Sequence, residues 1–265
     1  TVPVTLLCRL AGLDVSLGAL RWAAFPASTR QLWFISDYLV LLLCVPLLNR
    51  LLRGLPRRAH KGVLLVLAVP LILYPTLFGQ DGILADTAWM FLYDYLLAAY
   101  LRRWPDNRLS QFLNRPAAAL ALGLGLPLAN TAVRAVLEWQ GATDSKAFQY
   151  IAYYRTALGA LPGLLAALAL FHFFKNWDLG SNRFVNALAG TTLGVYILHQ
   201  VPVLRDFLWN GIFHAQAHHG SAGYTLLVIV LTFAGCAAID ALRTKFIMQP
   251  LQRSRAFTAL CAKGD

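Results

Sequence analysis

The chain alternates long apolar runs with short polar segments. The runs cover approximately residues 33–52, 62–79, 86–101, 116–137, 148–174, 184–207 and 222–242. Each is close to the ~20 residues that cross a ~30 Å hydrocarbon core at about 1.5 Å per residue. Apolar residues within them are continuous rather than alternating at period two, which selects helices over a barrel. The predicted fold is therefore all-α, a polytopic transmembrane helix bundle of about seven spans. Pro46, Pro70, Pro75, Pro127, Pro162 and Pro202 fall inside the runs. Each removes a backbone donor and predicts a packing kink.

The polar segments set the orientation. Arg50, Arg53, Arg57, Arg58 and Lys61 follow the first run, and Arg102, Arg103, Arg108 and Arg115 follow the third. Lys175 and Arg183 follow the fifth, and Arg243, Lys245, Arg253, Arg255 and Lys263 follow the seventh. The segments 80–85, 138–147 and 205–221 are poor in Lys and Arg. Basic loops stay on the cytoplasmic side. This predicts an outer N-terminus and a cytoplasmic C-terminus. Trp33, Trp89, Trp104, Trp139, Trp177 and Trp209 lie near run ends, as an interfacial belt requires.

Composition agrees. Of 265 residues, 58% are hydrophobic and 13% charged, against ~25% charged in soluble domains. That excludes an ordinary soluble enzyme and a disordered chain. The net charge of +11 sits in loop clusters, so it marks topology and does not point to nucleic acid. Cys8, Cys44, Cys236 and Cys261 form no CxxC pair, which reads as structural thiols rather than a disulfide framework or metal site.

Charge at membrane depth is costly and marks function. Measured from the run ends, Asp94 lies ~12 Å and Arg155 ~10 Å below the outer boundary. His199 comes out at ~8 Å, Asp37 at ~6 Å and Arg134 at ~3 Å. Asp37 and Arg134 are shallow enough to read as structural. Tyr38, Tyr93, Tyr95, Tyr153, Tyr154 and Tyr196 accompany the deep charges. The reading is a polar chamber opening outward, with Asp94, Arg155 and His199 as candidate functional groups. Asp37, Tyr38, Tyr95, Tyr154 and Tyr196 are its candidate substrate contacts. The competing reading is a structural Asp94–Arg155 ion pair with His199 reaching to the interface.

His214 and His218 have helical metal-ligand spacing, but no Glu stands beside them, and a solvated interfacial loop is the preferred reading. No metal site is expected. His60 and His172 read as interfacial residues near the inner boundary. The chain has no GxSxG, Walker loop or HExxH. Its last run has no Lys for a Schiff base, which argues against a retinal protein.

Three stretches resemble the acyltransferase family 3 of bacterial membrane O-acyltransferases. They are WFISDYLVLLLCVPLLN at 33–49, LYDYLLAAYLRR at 92–103 and AGTTLGVYILH at 189–199. The resemblance spans roughly residues 30–245. It implies acyl transfer from acyl-CoA, typically acetyl-CoA, to a hydroxyl of a cell-envelope glycan in the bacterial inner membrane. Arg102 and Arg103 are then candidates for CoA phosphates, because Arg forks suit phosphate. The bilayer, acyl-CoA and a surface or lipid-linked glycan are the implied partners. The family's core has ten helices, and the runs here correspond to its last seven. Its first-helix Arg and His and the Arg-x-x-Arg that precedes its third helix are not present in these residues. No catalytic residue is carried over, and His199 does not replace that His. The expected organisation is an outer segment at 1–32, a membrane domain at 33–245 and a basic tail at 246–265. On this reading the chain starts, at Thr1, near the outer end of the family's third helix. These residues alone are expected to be inactive. A glycan or lipid transporter and an inactive remnant are the alternatives.

Overall fold

The computed structural model describes residues 2–252, apart from 11, 13–15, 27, 83, 85, 86, 157, 158, 178, 179, 219 and 220. Side chains of 3, 4, 7, 17, 19, 20, 155 and 156 are also outside the description. The described residues form helices and no strand. They are α1 (Val2–Leu10), α2 (Leu17–Ala24), α3 (Trp33–Arg53), α4 (Arg57–Phe78), α5 (Thr87–Arg103) and α6 (Arg108–Leu113). Then come α7 (Pro116–Trp139), α8 (Lys146–Thr156), α9 (Leu161–Asn176), α10 (Arg183–Gln200), α11 (Pro202–Ile212) and α12 (Ala222–Gln252).

Four of these, α3, α4, α7 and α12, are single helices long and apolar enough to cross a membrane. They match the first, second, fourth and seventh predicted runs. The third run is α5, of 17 residues. The fifth and sixth runs differ from the prediction, because each is divided. Residues 148–174 split into α8 and α9. The sixth run bends by 82° between α10 and α11. There Val201 is extended, at φ −60 and ψ 120, as the residue before a proline prefers. The helix surfaces support a multi-pass membrane protein. On α7, Leu120, Leu124 and Leu128 are all exposed and lie on one face. Such a stripe has no place on a soluble surface.

The helices group into two compact units, residues 37–179 and residues 1–36 with 180–265. In the first, α4 and α5 share a core of Leu64, Leu71, Ile72, Met90, Tyr93, Leu97 and Leu101, onto which Leu161, Leu164 and Leu168 of α9 pack. The division between α8 and α9 is built against the end of α4. Tyr154 donates to the Thr76 carbonyl, and Tyr150 donates to the Leu77 carbonyl at 3.2 Å. These are last-turn carbonyls of α4 that have no helical donor. The Leu161 N–H donates to Thr76 Oγ1 at 2.8 Å. Gly159 lies against the Leu71 carbonyl, where a Cβ would collide. Pro75 has already removed the ordinary i+4 donor of that carbonyl. Around it, residues Val69–Leu73 of α4 widen to a π-helical turn.

In the second unit, α10 and α12 pack through Val195, Cys236 and Ala237. Asn182 caps α10 by accepting from the Phe184 and Val185 N–H groups, and Ser221 caps α12 by accepting from Tyr224.

Candidate functional site

Within the first unit, α5 and α9 face each other across a cavity of about 580 Å³. The α5 wall is Asp94, Leu97, Ala98, Leu101 and Arg102. The α9 wall is Leu164, Ala167, Leu168, Phe171, His172 and Lys175. Both sets follow the i, i+3, i+4, i+7 spacing that places side chains on one helix face. Arg102 and Lys175 each lie in the last turn of their helix, where a cation also suits the macrodipole. The cavity therefore has one basic end and long apolar walls. Asp94 stands two turns further in, ~12 Å along α5 from Arg102.

His172 is 2% exposed and belongs to this wall. Its Nδ1–H donates to Asn114 Oδ1 at 3.0 Å, and Asn176 Nδ2 donates to the same oxygen at 2.8 Å. That pairing places the ring proton on Nδ1 and leaves Nε2 with its lone pair. Nε2 is buried and has no partner among the described residues. A second pocket of about 370 Å³, bounded by Asn114, Phe173 and Trp177, meets the ring from another side. The sequence reading placed His172 at the interface; the structure places it inside the bundle. The available signal was its spacing from Leu164, Leu168 and Lys175. His60 is also internal, at 1% exposure. Its Nε2–H donates to the Leu96 carbonyl at 3.0 Å, and its ring meets the edges of Tyr100 and Trp104.

The sequence candidates are distributed as follows. Asp94 and Arg102 share the cavity. Arg102 also borders a groove with Asn49, Arg53 and Tyr95, where the Tyr95 hydroxyl donates to Asn49 Oδ1 at 2.7 Å. Arg103 is turned to the end of α3, donating to the Leu52 carbonyl at 2.6 Å and lying over the Trp104 ring. Asp37 is buried and accepts from the Thr87 hydroxyl. Tyr38 is exposed on α3. Tyr154 is bonded to α4, as described above. Arg134 pairs with Glu138 at 2.8 Å. The side chain of Arg155 lies outside the described residues, so the Asp94–Arg155 pair does too. His199 and Tyr196 belong to the other unit. There, His199 Nδ1–H donates to the Val195 carbonyl at 2.7 Å, and the Tyr196 hydroxyl accepts from the Phe34 N–H at 3.2 Å. Among the described residues no three His, Cys, Asp or Glu side chains converge as a metal site.

The acyltransferase domain of acyltransferase family 3 matches residues 2–241. Neither the curated proteins nor the solved structures hold a match. The chain belongs to the acyltransferase family 3 of membrane acyltransferases.

Proposed function

We propose that this family member moves an acyl group, typically acetyl, from acyl-CoA to a hydroxyl of a cell-envelope glycan in the bacterial inner membrane. The observation that carries the reading is the cavity between α5 and α9, with its basic end and apolar walls. An acyl-CoA donor has the complementary plan of phosphates, a slender pantetheine arm and an apolar acyl end. Arg102 and Lys175 meet the phosphates. Leu97, Leu101, Leu168 and Phe171 line the arm. The His172 ring borders the arm, and a shift of that ring brings its buried Nε2 lone pair, which needs a donor, to one of the two pantetheine amide N–H groups. Asp94 stands at the acyl end. The positive-inside charge pattern puts this basic mouth in the cytoplasm, where acyl-CoA is made.

In the reaction the acceptor hydroxyl loses its proton to a base, and its oxygen attacks the thioester carbonyl. The C–S bond then breaks, and CoA leaves as the protonated thiol. Binding of acetyl-CoA to the purified chain in nanodiscs tests the donor site. Saturable binding that weakens in Arg102→Gln/Lys175→Gln supports it, and binding unaffected by that change removes it. Glycan-dependent CoA release by membranes carrying the protein tests the reaction. No release with any glycan acceptor overturns the acceptor class.

A further inference from the structure

Another cavity, of about 660 Å³, opens between α4, α5 and α6. Arg57, Arg58 and Lys61 of α4 and Arg108 of α6 line it, against one acid, Asp106. Asp106 is already paired with Arg57, at 2.6 Å. Arg58, Lys61 and Arg108 have no ion pair among the described residues, so the cup holds uncompensated positive charge. Placing cations in the first turn of α4 also opposes the helix dipole, and an anion in the cup relieves both costs. Below the mouth the walls are mainly aliphatic, from Leu64, Leu97, Leu101 and Leu109, joined by the rings of Tyr93 and Tyr100. The Asn107 side chain offers no polar edge to a nucleobase, because it is spent on Ser110 and the Trp104 carbonyl. From the cup, an exposed apolar stripe of Leu65, Val69, Leu73 and Leu77 runs the length of α4 at the i+4 spacing of one face.

A cationic cup at one end of an exposed apolar stripe has the chemical outline of one amphiphile. We propose that this site binds an anionic phospholipid, its phosphate among Arg58, Lys61 and Arg108 and its chains along the outer face of α4. Loop basicity alone needs no such convergence; Arg115 and Arg183 serve topology without lining this cup. The site shares Leu97 and Leu101 with the α5/α9 cavity but none of its cations, and it stands independently of the donor reading.

The test uses the full chain in nanodiscs with phosphatidylglycerol titrated against phosphatidylcholine, and lipid retained after transfer to detergent is counted by native mass spectrometry. Saturable retention of phosphatidylglycerol is expected. Arg58→Gln/Lys61→Gln weakens it by about 25-fold, from about fivefold per charge near an anionic group. The charge-preserving Arg58→Lys/Lys61→Arg stays within about twofold of the parent, as does Arg115→Gln/Arg183→Gln. Three outcomes overturn the site: no preference for phosphatidylglycerol, equal loss in the Arg115/Arg183 variant, or displacement of the lipid by free CoA. The readout is lipid, so it fails separately from the acyl-transfer assay.

Discussion

Two helix pairs in this protein treat a carboxylate in opposite ways. In α10/α12 the helices close tightly. Asp240 is 3% exposed, lies against Gly194 and is held by Arg243 Nε at 2.8 Å. Small residues make that approach possible, since Gly194 and Ala237 leave room for the carboxylate. In α5/α9 the facing residues are Leu, Ala and Phe, and they leave a cavity. Asp94 opens into it, and the nearest cation on its own helix face is two turns away. A buried carboxylate held by a partner on its own helix fixes the joint in one arrangement. In α5/α9 a carboxylate, a histidine and two cations border a cavity instead, and the donor proposal rests on that arrangement. Small residues thus make the joint, and larger ones propped apart make the site.

The comparison is broken most easily at the joint. Gly194→Leu drives a side chain into Asp240 and is expected to cost ~3 kcal/mol. It lowers the thermal midpoint in detergent and leaves donor affinity per folded molecule unchanged. A midpoint equal to the parent's would mean the pair is not closed as described. Next comes the cavity. Arg102→Gln/Lys175→Gln is expected to weaken acetyl-CoA binding about a hundredfold, about tenfold for each charge-assisted contact. The thermal midpoint is expected to hold, because both changes lie at the helix ends. His172→Phe keeps the ring volume and removes Nε2, and calorimetry is expected to show donor binding weaker by about fivefold. Asn114 retains its bond from Asn176, so stability changes little. A large midpoint drop with unchanged affinity would make His172 structural. The smallest effect is expected at the α4/α8 junction. Tyr154→Phe loses one bond to a helix-end carbonyl, ~0.5 to 1 kcal/mol in a denaturation series. Donor affinity is expected to stay constant, which would separate this tyrosine from the site.

Tyr154 also shows why the site was only partly legible. Beside Arg155 in a long apolar run, it reads as a chamber wall. In the structure its hydroxyl completes the end of α4, because the run is broken there and the carbonyls of α4 need donors. Asp37 likewise accepts from the Thr87 hydroxyl inside the packed unit. Asp94 and Arg102 were legible, since both stand at helical spacing on a run with a basic end. His172 was not, because a histidine near the end of a run looks the same whether it faces lipid headgroups, water or an asparagine.

The sequence by itself determined the class of the molecule. Apolar runs of bilayer length can only be helices, since every backbone group in lipid needs an internal partner. The order of the runs and the three motifs pointed to the acyltransferase family, which the match over residues 2–241 establishes. Tertiary structure alone decided which runs are continuous, where polar side chains are spent and which are left for a ligand. The reason is physical. Periodicity states which face of a helix a residue occupies, but its partner is set by a segment far away in the chain, as Asn114 at the C-cap of α6 is for His172.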